Sequence, residues 1–110
     1  MELSGSKQGS SMVVKVAGRM DATSAPQFEE ECAKWIEQGE NFLVVDMGGL
    51  EYISSAGLRS ILATGKKLKG NGGSLAFGNM QGMVKEVFDI SGFTSIFPVY
   101  DTLEAALAHK

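Results

Sequence analysis

Apolar residues follow two alternating rhythms along the chain: short β-branched or continuous runs, and longer stretches at helical spacing. Residues 12–17, MVVKVA, predict a strand ending at Gly18. The opening ELSGSK predicts a weaker strand, paired with it as a hairpin through the turn-like QGSS. In RMDATSAPQFEEECAKWIEQG, residues Phe28, Cys32, Trp35 and Ile36 recur at i, i+4, i+7 and i+8, one buried face of an amphipathic helix. Ser24 and Gln27 have capping-box spacing, and Pro26 falls in the first turn, where its missing N–H costs little. Glu29, Glu30 and Glu31 follow near the positive end of the helix dipole, and Gly39 supplies the stop.

The same alternation continues. Residues 41–47, NFLVVDM, form a continuous apolar run closed by Asp46, which suits a strand buried on both faces. GGLEY reads as a loop. Leu58, Ile61, Leu62, Gly65 and Leu68 then mark a helical face that ends in lysines at Gly70. GSLAFGN predicts a strand, and NMQGMVKEVFDISG a helix with Met80, Met83, Val84, Val87 and Phe88 facing inward. Met80 and Met83 are read as core filler rather than a binding surface. SIFPVY predicts a short strand with Pro98 near its end. DTLEAALAHK predicts a helix with Asp101 as cap and Glu104 at the box position. Strand–helix repetition of this kind implies an α/β fold: one domain over 1–110, a mostly parallel mixed sheet of four to five strands, about four helices, and right-handed crossovers.

Composition removes several function classes. A net charge of −3 gives no field that favours nucleic acid or an anionic membrane. No apolar stretch approaches the ~20 residues of a membrane helix, and the polar start MELSGSKQGSS lacks a signal core. Cys32 is the one cysteine, so an internal disulfide is impossible, and a reducing, cytoplasmic setting fits best. The one histidine is His109, which leaves almost nothing for a metal site or a Ser-His triad. KGNGGSLAFG and FGNMQGM carry neither a Walker lysine-serine pair nor a dinucleotide fingerprint, and Asn71, Gly72 and Gly73 are most simply a turn.

Two kinds of polar residue sit where chemistry could be placed. Asp21 and Asp46 each stand at a chain transition, the usual place for site residues in open α/β sheets, although turn and cap roles would also explain them. In GLEYISSAGLRSIL, Ser54 and Ser55 stand where a loop or strand becomes a helix. One of the two caps it, a role worth about 1 kcal/mol, which leaves the other hydroxyl to be explained. A phosphate there would meet the N–H groups of the first turn and present about −2 charge to a docked partner. Neither a histidine base nor a G-x-S-x-G elbow accompanies the serines, which argues against a nucleophilic hydrolase.

VVDMGGLEYISSAGLRSIL resembles the signature of the STAS domain family, anti-sigma factor antagonist type: an apolar strand ending in Asp, a short loop, then Asp-Ser-Ser-Gly-Leu opening a helix. VKVAGRMDATSAPQFEEE resembles the family's earlier strand, glycine, Asp and helix. On that motif Gly57 and Leu58 match its Gly-Leu, Ser55 falls on the serine that family members have phosphorylated, and Ala56 falls on the second serine. Asp21 and Asp46 match two further acidic positions near that site. Ser54 stands where the family has Asp and cannot supply that charge, so it is itself an alternative acceptor.

The resemblance implies a binding protein rather than an enzyme, with no cofactor and no metal. Its partner would be an anti-sigma factor that is often a serine kinase, held off once Ser55 is phosphorylated and restored by a phosphatase. Neither nucleic acid nor a membrane is implied as partner, and family members occur as monomers and weak dimers. The contact surface would comprise Asp21, Asp46, Ser54, Ser55, Gly57, Leu58 and Arg59, although Arg59 reads equally well as a solvated residue. The Ser54 departure leaves open a second reading: a STAS module without a phosphorylation cycle, binding a small ligand or nucleotide or acting in a larger signalling assembly.

Overall fold

A computed structural model describes residues 1–108; His109 and Lys110, the end of the last predicted helix, lie outside the described residues. The chain runs β1 (Glu2–Gln8), β2 (Ser11–Met20), α1 (Ala25–Glu37), β3 (Phe42–Ile53), α2 (Ser55–Gly70), β4 (Ser74–Gly78), α3 (Gly82–Ile90), a 3-10 turn (Phe93–Ser95), β5 (Val99–Tyr100) and α4 (Leu103–Ala108). Spatial order in the sheet is β1-β2-β3-β4-β5; β1 is antiparallel to β2, and the remaining pairs are parallel.

Register explains why the central strands read as continuous apolar runs. Val14, Val45 and Phe77 lie side by side on one face and pack with Phe28, Cys32 and Ile36 of α1 and Ile61 and Leu68 of α2. Val13, Val44 and Ala76 share the opposite face and are also buried, where α4 lies against β3 and β4 with Ala106 buried. Each of the valine, leucine, isoleucine and phenylalanine side chains contributes about 1.5–3 kcal/mol by leaving water, and the alanines less. Phe77, Phe88, Phe93 and Phe97 form a chain of ring contacts, three of them edge-on at centroid separations of 5.2, 5.6 and 5.4 Å. Edge-on pairs of this kind each add about 0.5–1.5 kcal/mol beyond area burial, and here they tie α3 and the 3-10 turn to β4.

Several expectations are corrected. GGLEY is not a loop: β3 continues through it to Ile53, and β2 continues past Gly18 to Met20 alongside. Two register shifts make this possible, one of them at Gly18, whose φ of +93° suits only glycine. Gly49 is required by close approach, since a Cβ there would lie 2.8 Å from Ala17 Cβ. Ser24 does not cap α1 with its side chain, so the capping box with Gln27 is not made. Glu29, Glu30 and Glu31 begin at the fifth residue of α1, beyond the first turn in which the dipole acts strongly.

Met80 is buried but precedes α3, and Met83 is 47% exposed rather than inward-facing. SIFPVY supplies only the two-residue β5, because Phe93–Ser95 coils first and directs Phe93 and Phe97 into the core. At α4, Thr102 rather than Asp101 caps, its hydroxyl accepting the Ala105 N–H at 3.1 Å.

Candidate functional site

The site is assembled where β2 and β3 end together. Met20 pairs with Ile53, and the next residue, Ser54, donates its backbone N–H to the Met20 carbonyl at 2.9 Å. That bond places the turn after β2, which begins with Asp21, beside the start of α2. Ser54 has an extended backbone, φ −96° and ψ 175°, and its hydroxyl accepts the Gly57 N–H at 3.3 Å. Ser54 is therefore the cap, and Ser55 becomes the first helical residue. Ser55 is exposed, and its hydroxyl has no hydrogen-bond partner among the described residues. Gly57 is buried because the helix start sits directly on the strand ends: a Cβ there would lie 2.7 Å from Ile53 Cγ1 and 3.1 Å from both Met20 Cγ and the Met20 carbonyl oxygen. Leu58 is half-buried against the core, and Arg59 is exposed one turn after Ser55.

Asp21 organises its own turn. Its Oδ1 accepts from the Thr23 hydroxyl at 2.8 Å, the Thr23 N–H at 3.1 Å, the Ser24 hydroxyl at 3.1 Å and the Ser24 N–H at 3.2 Å. Bonds to the Thr23 side chain and then to Ser24 favour the ionised carboxylate and lower its pKa from 3.8 to about 2. The Ser24 hydroxyl, turned away from α1, accepts the Asp21 N–H at 2.9 Å, and its single proton is shared between the Asp21 carboxylate and the Arg19 carbonyl, the latter at 2.9 Å. Asp21 thus holds together the turn before α1, the turn that the Ser54–Met20 bond sets beside the start of α2.

Asp46 is not part of this group. It pairs with Lys15, five residues before Met20 on β2 and about 16 Å along the strand at ~3.3 Å per residue. Its Oδ1 accepts from the Gly48 N–H at 3.0 Å and the Asn79 side-chain amide at 3.4 Å. Asn79 has φ +66°, a left-handed conformation that asparagine tolerates, and Gln81 donates to its carbonyl at 3.2 Å. Asp46 therefore anchors the passage from β4 to α3. Of the sequence candidates, Asp21, Ser54, Ser55, Gly57, Leu58 and Arg59 come together at the α2 start, and Asp46 stands apart.

Sequence reasoning missed Arg19 and Tyr52. They are opposite each other in register, and the guanidinium lies over the ring, 4.1 Å from its centroid. Only the pairing of β2 with the extended β3 brings them together, and no local pattern signals it.

Among the described residues no group of His, Cys, Asp or Glu could hold a metal ion, and no helix is long and apolar enough to cross a membrane. The geometry defines a mixed-sheet α/β protein that displays a serine at a helix start beside an ionised aspartate. The STAS domain family model matches residues 4–106, and the chain belongs to that family. It is 42% identical over 108 residues to BtrV of Bordetella bronchiseptica, named provisionally as an anti-sigma factor antagonist, covering 98% of this chain and 93% of that one. It is 34% identical over 86 residues to the anti-sigma-B factor antagonist of Bacillus subtilis, covering 78% of each. Among solved structures, an anti-sigma factor antagonist from Mycobacterium paratuberculosis superposes with a TM-score of 0.90 at 27% identity, covering 98% of this chain and 92% of that one.

Proposed function

We propose that this chain is an anti-sigma factor antagonist: a protein that binds an anti-sigma factor and so releases a sigma factor, switched by phosphorylation of Ser55. The observation that carries the switch is the division of labour between the two serines. Ser54 spends its hydroxyl on the Gly57 N–H, and the Ser55 hydroxyl is left exposed and unbonded at the first helical position. A phosphate on Ser55 would bring about −1.5 to −2 charge to the N-terminal end of α2, where the dipole favours an anion. Arg59 lies at i+4 from Ser55, the spacing at which opposite charges on a helix meet. The helix would therefore keep its structure on phosphorylation. The charge and bulk would instead be felt by whatever docks on the surface formed by Asp21, Ser54, Ser55, Gly57, Leu58 and Arg59.

In this reading the protein supplies a docking surface and an acceptor hydroxyl. The kinase belongs to the partner, a phosphatase restores binding, and the cycle runs in the cytoplasm. Asp21, ionised and fixed by its own turn, supports kinase recognition in place of the family aspartate that Ser54 replaces.

The test combines the protein, ATP and the anti-sigma kinase encoded nearest to it, with mass-spectrometric mapping and Ser55→Ala and Ser54→Ala as controls. Phosphate on Ser55, lost in Ser55→Ala and accompanied by weaker partner binding, is the expected result. No phosphate on either serine, from a kinase shown active on another substrate, would overturn the switch. Separate titration of the unphosphorylated protein with the anti-sigma factor tests the antagonist reading by itself.

A further inference from the structure

A groove of about 450 Å³ runs between the C-terminal half of α2 and the segment leading into β5. This is a small-molecule volume. Its apolar walls are Leu62 of α2, Leu75 of β4, and Ile96 and Phe97. Two features show that the depression is built by residue choice. Gly65 has no side chain where a Cβ would fall on the Phe97 ring, so the ring lies against the bare helix backbone and floors the groove. Ile96 is 55% exposed at the rim, an apolar side chain left in water although its neighbour Phe97 is buried.

Lys66 and Lys69 stand over this apolar bed, and no carboxylate lines it. Neither lysine makes an ion pair with a described residue. Nor are they needed to satisfy the end of α2, where the Gly73 N–H donates to the Leu68 carbonyl at 2.8 Å and the Gly72 N–H to the Lys69 carbonyl at 3.1 Å. The groove is therefore locally cationic on a chain whose net charge is −3.

From the apolar bed and the two unpaired ammonium groups at its edge, we infer that this groove binds a small amphipathic anion, an alkyl carboxylate whose chain lies along Leu62, Ile96 and Phe97 and whose head meets Lys66 and Lys69. The site is separate from the phosphorylation site: Ser55 and Lys66 are eleven residues apart on α2, about 16 Å at 1.5 Å per residue.

The test is amide NMR titration of the full chain with sodium octanoate below its micellar concentration. Comparators of equal chain length are 1-octanol and octyltrimethylammonium. Saturable shifts confined to the groove segments around 62–75 and 96–98 are expected, with both comparators weaker. The double variant Lys66→Ala/Lys69→Ala should lose about tenfold in octanoate affinity while keeping its melting temperature, because both ammonium groups are exposed. Absence of saturation, shifts centred elsewhere, equal binding of all three head groups, or full affinity in the double variant would each overturn the assignment. None of these outcomes depends on phosphorylation of Ser55.

Discussion

Gly57→Ala sets two effects of opposite sign against each other at the start of α2. Alanine is the better helix former by up to about 1 kcal/mol in a helix interior, and by less at the third helical residue. Against this stands a Cβ 2.7 Å from Ile53 Cγ1 and 3.1 Å from the Met20 carbonyl oxygen. Unstrained carbon contacts lie at about 3.5–4.0 Å, so roughly 1 Å must be found between α2 and the strand ends. Neither neighbour yields cheaply. Ile53 is β-branched and 4% exposed, and the Met20 carbonyl is backbone that already accepts the Ser54 N–H.

Overpacking of this kind costs about 1–3 kcal/mol, so the net loss is about 1–2 kcal/mol, or ~4–8 °C in melting temperature. Urea unfolding followed by Trp35 fluorescence and far-UV circular dichroism measures it. Gly70→Ala is the matched control, because a Cβ at the last residue of the same helix meets nothing within 4 Å. It should be neutral or slightly stabilising. If Gly57→Ala proves as stable as the native chain, α2 is not seated on the strand ends as described, and the placement of Ser55 fails with it.

Three further outcomes follow from the site and the core. Ser54→Ala should lose about 0.5–1 kcal/mol, the lower part of the capping range, because its bond to Gly57 is long at 3.3 Å; Ser54→Asp should keep or slightly raise stability, and urea midpoints decide both. The Asp21 pKa is depressed to about 2, so its contribution is complete above 3.8 and is lost as pH falls through 2. Asp21→Asn should flatten the acid limb of a stability–pH curve in that window only. The Cys32 thiol is pushed up to about 12 by burial and by the charge of Glu31, so it should resist Ellman's reagent at pH 8 until urea opens the core. Its contribution is complete below 9.0 and lost as pH rises towards 12.

The central strands and α2 were legible because burial on both faces, helical spacing and terminal lysines all act locally. The continuation of β3 through Gly48 and Gly49 was not. Glycine signals a loop on its own, and only the approach of Ala17 on β2 makes it the residue that fits. Ser24 was misassigned because capping-box spacing takes no account of Asp21, whose carboxylate reaches the turn first. Met83 has helical spacing but stays 47% exposed. At the site, the serine pair could be found from sequence, and which serine caps could not, since that depends on where β3 releases the chain. Asp46 entered through its place at the end of an apolar run and through family resemblance, and register moves it to the β4–α3 passage.

The agreement between chain order and spatial order in the sheet bears on how the molecule is made. Each parallel strand is joined to its neighbour by a crossover of nearly constant length: residues 21–41, 54–73 and 79–98. No strand waits for a partner from a distant part of the chain. Closing a loop of 60 residues rather than 20 would add about 1 kcal/mol of entropy at each step. On a ribosome, β1 and β2 can form their hairpin first, and each later strand can join an edge that has already emerged, so the sheet can grow at the pace of synthesis and in the direction of synthesis.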